Sequence, residues 1–189
     1  MSQFTVLFDA CVLYGESLRD LIMRLAVMDL FRAKWTEEIH EEWMSHLLEN
    51  RPDLSREQLE RTRMLMNQHA RDPLVTGYKD LIPSLSLPDP DDRHVLAAAI
   101  RANAATIVTY NLKDFPDSEL AQYDIEAQHP DDFLVCQIGL SEGTVCAAAK
   151  RHRASLQNPP RTVDEYLASL ERHQLPQTVS RLREFSALI

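Results

Sequence analysis

Two short apolar runs, at residues 4–8 and 105–109, constrain the fold of this chain most strongly. Both are bounded by polar residues and are rich in aromatic and β-branched side chains, which predicts buried strands. A weaker run at 33–35 and a candidate edge strand at 125–127 extend the pattern. Between them, segments such as 16–30 carry apolar residues at three- and four-residue steps, which is typical of amphipathic helices.

Strands that alternate with helices indicate an α/β fold with three layers, in which helices cover both faces of a central parallel sheet. Helix starts are predicted at Thr36, Ser55, Asp89 and Thr162, because each is a favourable N-cap residue before a helical pattern. Short strands are predicted at 74–76 and 80–82. If a strand forms in this segment, the helix after Asp89 begins at the edge of the sheet where the strands end.

The pattern changes near residue 139, after which the helices predicted are 141–156, 163–173 and 175–187. A chain of 189 residues suits one domain with an extension. We therefore expect an α/β domain at residues 1–138 and a helical extension at 139–189.

Formal net charge is −9, which does not favour a generic nucleic-acid binder. Residues 141–189 carry seven Lys or Arg against five Asp or Glu, so the acidic excess lies in the remainder. An acidic body suits a cation site as well as solubility. Contact with RNA would need a local basic patch, for which Lys150, Arg151 and Arg153 are candidates, with a solvated helix face as the alternative.

Cys11, Cys136 and Cys146 show no C-x-x-C spacing, which argues against a disulfide framework and against a zinc site. We expect buried thiols in a reducing compartment. The sequence contains no apolar run of about 20 residues, the length needed to span a membrane. Its first four residues lack the layout of a signal peptide. The expectation is a cytoplasmic protein without a membrane segment.

Four acidic positions fall where this architecture would bring side chains together. Asp9 ends the first strand, Asp92 lies in the first turn of a helix, and Asp114 follows a later strand. A glutamate from the helix at 36–49 completes the set. Each position alone has a simpler interpretation as a turn, cap or surface residue. Together they predict a divalent-cation site, because clustered carboxylates repel one another unless a cation binds them. Such a site can hydrolyse phosphodiesters.

Helical periodicity narrows the choice of glutamate but does not settle it. With Ile39 at zero on a helical wheel, Glu42 lies near −60° and Glu38 near −100°, at about 100° per residue. Both flank the apolar face, and Glu42 is the nearer to the core. Glu41, at roughly 200°, faces away. Glu42 and Glu38 therefore both remain open on periodicity alone.

Four sequence blocks, at residues 4–13, 39–43, 89–99 and 109–115, resemble the PIN domain. Within that family, the chain looks most like the VapC-type toxins of bacterial toxin–antitoxin pairs. The likeness spans roughly residues 4–137, and the four blocks in this order are specific. The resemblance implies a three-layer α/β/α fold and RNA cleavage that depends on Mg²⁺ or Mn²⁺.

The resemblance also implies roles for individual residues. Glu42 rather than Glu38 would join the metal site. Thr109 and Asn111 would support the acidic ligands or a bound water, and Asp89 is an outer candidate. The acidic ligands that the resemblance implies are Asp9, Glu42, Asp92 and Asp114.

The partners implied are an RNA substrate, a small cognate antitoxin that binds across the active site, and a second copy of the chain in a homodimer. The C-terminal helices resemble an extension in a longer subgroup of these toxins. That extension could clamp RNA, bind antitoxin, complete a dimer or only pack over the sheet.

Other classes of protein fit less well. A phosphatase with an aspartate nucleophile at Asp9 would need a second aspartate two residues later, where Cys11 stands. A receiver domain would need an acidic pair before its phospho-acceptor strand and a lysine after a later strand, and neither is evident. An RNA-processing nuclease that is not a toxin, and an inactive RNA- or protein-binding PIN-like module, stay as alternatives.

Overall fold

A central sheet of four parallel strands organises the protein, as seen in a computed structural model that describes residues 4–189. The strand order is β2-β1-β3-β4, and each neighbouring pair is parallel. The strands are β1 (Thr5–Phe8), β2 (Arg32–Lys34), β3 (Thr106–Val108) and β4 (Glu126–Gln128). This sheet confirms the predicted α/β fold with a central parallel sheet.

Ten α-helices surround the sheet and continue into the C-terminal segment within residues 4–189. They are α1 (Ala10–Leu13), α2 (Glu16–Val27), α3 (Glu37–Asn50), α4 (Arg56–His69), α5 (Arg93–Arg101), α6 (Asp117–Leu120), α7 (Pro130–Leu140), α8 (Glu142–Ser155), α9 (Val163–Glu171) and α10 (Pro176–Glu184). Three predicted N-caps are confirmed, because Thr36, Ser55 and Thr162 each accept a backbone hydrogen bond from the first turn of the following helix.

The strand predicted at 80–82 is wrong, since Lys79–Ser84 forms a 3-10 helix. Pro83 lies inside this element, and proline cannot donate the backbone hydrogen bond that a sheet requires. The strand predicted at 74–76 is reduced to one isolated bridge between Trp35 and Leu74. The chain therefore reaches the start of α5 without an intervening strand.

A second 3-10 helix, Pro90–Asp92, precedes α5. Asp89 caps this short helix by accepting a hydrogen bond from the Asp91 backbone N–H at 2.9 Å. Asp92 is consequently the N-cap of α5. The prediction that it lies inside the first turn of this helix is wrong. Since α5 runs into β3, which starts at the opposite edge of the sheet, Asp92 lies at the carboxyl ends of the strands.

The core lies on both faces of the sheet and includes the C-terminal helices. Phe8, Phe31 and Phe133 form an aromatic cluster, with Phe31 and Phe133 ring centroids 5.1 Å apart. Helix α8 packs against α2 and α7, and α10 packs against α7 and α9. The buried carboxylate of Asp131 in α7 accepts hydrogen bonds from two backbone N–H groups at the start of α10. The extension is therefore fixed to the α/β body.

Candidate active site

Asp9 lies directly after β1 at the carboxyl edge of the sheet, and only 5% of its surface is exposed. Its backbone N–H donates to the Val108 carbonyl at 3.1 Å, so the neighbouring strand fixes its main chain. Its Oδ2 accepts hydrogen bonds from Thr109 Oγ1 at 2.7 Å and from Cys11 Sγ at 3.0 Å. The carboxylate is thus held in a defined orientation by residues from two strand ends.

Asp92 is half-buried and lies among other carboxylates. Its pKa is raised to about 6, first by burial and then by three nearby negative charges. These charges are those of Asp9, Asp89 and Asp114. Such mutual repulsion needs short separations between carboxylates. The negative charges of Asp9 and Asp114, which are distant in the sequence, therefore both act on Asp92.

Glu42 joins this group through a histidine. The Nε2 atom of His94, in α5, lies 2.8 Å from Glu42 Oε1, in α3. The charge of His94 also interacts with Asp9 and opposes the rise in the Asp92 pKa. His94 therefore links Glu42 to the charges of Asp9 and Asp92. We call the region that holds Asp9, Glu42, Asp92, His94 and Asp114 the acidic cleft.

The other glutamates of α3 separate as the helical wheel predicted. Glu38 also faces the cleft, where its Oε2 accepts a hydrogen bond from Tyr78 Oη at 3.0 Å and lies 3.9 Å from His94 Nδ1. Glu41 instead forms an exposed ion pair with Arg56. Glu38 therefore lies beside the cleft, but its carboxylate is already hydrogen-bonded to Tyr78.

His94 belongs to the acidic cleft, although no role was predicted for it from the sequence. Burial tends to lower its pKa, but the hydrogen bond to Glu42 and the nearby carboxylates outweigh burial, so the pKa of His94 is raised. Its Nδ1 is buried without a hydrogen-bond partner. A histidine inside an alanine-rich helix resembles a core residue, and its position two residues after Asp92 was the only available signal.

Cys11 is a further residue of this site, and its predicted burial is wrong. It was expected to be a buried thiol, yet it is half-buried and donates to Asp9. Burial and then the Asp9 charge raise the pKa of the Cys11 thiol to about 12, so it stays protonated and acts as a donor. Cys136 is exposed, again unlike the expectation, whereas Cys146 is buried.

The predicted supporting residues lie around the same cleft. Thr109 donates to Asp9, as described, and accepts a hydrogen bond from the Asn111 backbone N–H at 3.0 Å. The Asn111 side chain is exposed. Asp89 combines its role as a cap with a negative charge close to Asp92.

The basic residues of α8 have different surroundings. Lys150 and Arg151 are exposed, and Arg151 borders a groove between α2 and α4. Arg153 donates to the main-chain carbonyls of Arg161, at 2.8 Å, and Ile189, at 3.4 Å. Its guanidinium therefore connects α8 to the segment before α9 and to the last residue of the chain.

The donor set suits a hard divalent cation, because Asp9, Glu42, Asp92 and Asp114 offer only carboxylate oxygens. Like-charge repulsion on Asp92 is the stress that a cation would relieve. Within residues 4–189, no three His, Cys, Asp or Glu side chains stand close enough to form a complete metal site. Sharing one ion would therefore require the carboxylates to come closer together.

Comparison with known proteins identifies the family. Residues 5–113 match the model described as PIN domain. The chain belongs to the PIN-domain family. Residues 130–184 match the model of the VapC50 C-terminal domain, so the predicted combination of a PIN domain with a C-terminal helical segment is confirmed.

One curated relative is named "Putative ribonuclease VapC50", from Mycobacterium tuberculosis (strain ATCC 25618 / H37Rv). It is 44% identical over 107 residues, which cover 57% of this chain and 62% of the relative. The match thus spans less than two thirds of that protein. No solved structure matches the chain. In the described part of this PIN protein, no helix is long and apolar enough to cross a membrane.

Proposed function

We propose that this PIN protein is a divalent-metal-dependent endoribonuclease that acts as the toxin of a toxin–antitoxin pair. The observation that carries the proposal is the placement of Asp9, Asp92 and Asp114 at the carboxyl ends of the strands, where negative charges act on Asp92 and raise its pKa. Membership of the PIN family and the name of the mycobacterial relative support RNA as the substrate.

Asp9, Glu42, Asp92 and Asp114 would hold Mg²⁺ or Mn²⁺, since their oxygens are the ligands that both ions prefer. The ion, when bound, would stabilise the negative charge that develops on the phosphodiester. The chain itself contributes orientation. Thr109 and Cys11 donate to Asp9, and His94 holds Glu42. Carboxylates fixed in this way need less rearrangement when the ion binds.

The proposal includes two protein partners, a small antitoxin that covers the cleft and a second copy of the chain. A basic antitoxin side chain would satisfy the same carboxylates that bind the cation. Lys150 and Arg151 are exposed and are candidates for contact with RNA, whereas Arg153 already binds two main-chain carbonyls.

The enzymatic part is tested by cleavage of RNA with purified full-length protein in Mn²⁺ and in Mg²⁺. Asp9→Asn and Glu42→Gln should each reduce the rate by about a hundredfold or more, because even residues that only orient metal ligands contribute ten- to hundredfold. Glu41→Gln is the matched control, since Glu41 lies beside Glu42 in α3 but pairs with exposed Arg56.

Wild-type rates in Asp9→Asn would show that the metal site is wrongly assigned. The toxin part is tested by expressing the chain in bacteria without an antitoxin. Growth should slow as cellular RNA is lost, and Asp9→Asn should restore growth. Unimpaired growth with abundant wild-type protein would favour a processing nuclease or a binding module.

A further inference from the structure

The corner between α9 and α10, at residues 172–175, contacts two loops of the PIN domain. Tyr110 Oη donates a hydrogen bond to the His173 main-chain carbonyl at 2.7 Å. The His173 ring lies against Gly15, where an added Cβ would stand 2.8 Å from its Nδ1. The corner turns through Gln174, whose φ is 57°. One residue of the extension thus touches the segments that follow both β1 and β3.

Those two segments carry the acidic site. Tyr110 stands directly after Thr109, which donates to Asp9 at 2.7 Å. The Tyr110 backbone N–H donates to Cys11 Sγ at 3.4 Å, and Cys11 also donates to Asp9. A continuous set of hydrogen bonds therefore runs from the His173 carbonyl through Tyr110 to the Asp9 carboxylate.

The corner is held firmly on the side away from the cleft. Asp131, 2% exposed, accepts hydrogen bonds from the Gln177 and Thr178 backbone N–H groups at 2.9 and 2.7 Å. The Tyr110 ring packs edge-on against His129, with centroids 5.0 Å apart. Burial raises the pKa of Tyr110, so its hydroxyl stays protonated and available as a donor.

We propose that the corner at residues 172–175 is part of the active site, with His173 and Tyr110 as positioning residues. The fixed His173 carbonyl sets the position of Tyr110, and Tyr110 sets the loop at 109–111 that orients Asp9. The C-terminal segment thereby controls turnover of the phosphodiester and is more than a packing element. This inference rests on the proposed ribonuclease function.

The test uses two full-length variants that disturb the same contact from opposite sides. Tyr110→Phe removes the hydroxyl, and Gly15→Ala places a methyl group against the His173 ring. Gly15 has a φ of −75°, so alanine adds no backbone strain there. Gly139→Ala is the matched control, because nothing lies within 4 Å of a Cβ at that position.

Tyr110→Phe and Gly15→Ala should each lower kcat by about tenfold while KM for RNA stays within about twofold, because misplaced reacting groups slow the chemical step. The double variant should lose little more than either single one, since both break one contact. Adding His173→Ala to Gly15→Ala removes the ring and should recover most of the lost kcat. Mn²⁺ affinity should match that of Gly139→Ala, and kcat is compared per folded molecule, because the lost hydrogen bond and the close contact at Gly15 each lower stability.

Wild-type kcat in both variants, beside an active wild-type enzyme, would overturn this inference and leave the proposed function standing. A loss of kcat that follows only from a loss of folded protein would overturn it as well. Absence of RNA cleavage by the wild-type protein, in Mn²⁺ and in Mg²⁺, would overturn the proposed function and this inference with it.

Discussion

Two histidines with almost fully buried side chains each lie beside a carboxylate, yet their pKa values move in opposite directions. His94, in the acidic cleft, has Nε2 2.8 Å from Glu42, and its pKa is raised. His152, at the junction between α2 and α8, has Nε2 3.3 Å from Asp20, and its pKa is lowered to about 4. Local charge, and not burial alone, separates the two regions.

The difference follows from the groups that surround each ring. Burial lowers the pKa in both places, but several carboxylates outweigh it at His94. At His152 burial dominates, and the attraction of Asp20 is opposed by Arg24 and Arg161. The cleft therefore carries surplus negative charge that suits a cation, whereas the junction is a balanced polar contact that joins the extension to the PIN domain.

The largest expected effect is the acid sensitivity of the junction. The pKa of His152 is about 4 when folded and 6.5 ordinarily, so the unfolded chain takes up the proton first. The contribution of His152 to the free energy of unfolding is complete above pH 6.5. It is lost as the pH falls towards 4, by about 3 kcal/mol in total. Urea unfolding at several pH values measures this loss.

His152→Gln should flatten that pH dependence, although it lowers stability at pH 7 by removing the contact with Tyr166. His69→Gln, at an exposed position in α4, should keep the wild-type slope. Equal slopes in wild type and His152→Gln would show that the junction histidine is not held neutral.

A second prediction concerns the cleft histidine. His94→Gln removes the group that orients Glu42, and loss of such a partner typically weakens metal binding ten- to hundredfold. Calorimetric titration with Mn²⁺ measures the change. The control is His46→Gln, on the exposed face of α3, the helix that carries Glu42. Unchanged Mn²⁺ binding would show that His94 does not prepare Glu42 for the ion, and tighter binding would show that His94 competes with the ion for Glu42.

Much of the fold was predictable because its signals are local. The apolar runs became β1 and β3, and Thr36 and Ser55 cap their helices through short-range hydrogen bonds. The segment at 80–82 was not, because an apolar pair next to Pro83 resembles a strand until its hydrogen-bond partners are known.

The acidic site was predictable only in part, because several of its contacts join residues that are distant in the sequence. Asp9 and Asp114 follow strands, so topology alone predicts their neighbourhood. Periodicity could not separate Glu42 from Glu38, because both lie on the cleft side of α3 and differ only in their partners. The contact between Tyr110 and the extension joins residues 63 positions apart and leaves no local trace in the sequence.

The smallest expected effect tests whether charge or burial sets the junction pKa. Arg24 lies 3.2 Å from Asp20 and donates to Ser155, so it competes with His152 for the Asp20 carboxylate. Arg24→Met should raise the pKa of His152, by about one unit or less because Arg24 is partly exposed to solvent screening. Imidazole NMR titration measures the shift.

The matched control for Arg24→Met is Arg181→Met, since Arg181 also pairs with a carboxylate, that of Glu184, but in an exposed position on α10. It should leave the His152 titration unmoved. If Arg24→Met also left the pKa of His152 in place, burial alone would govern the junction. The contrast with His94 would then reflect the carboxylates of the cleft and nothing about the balance of charges around Asp20.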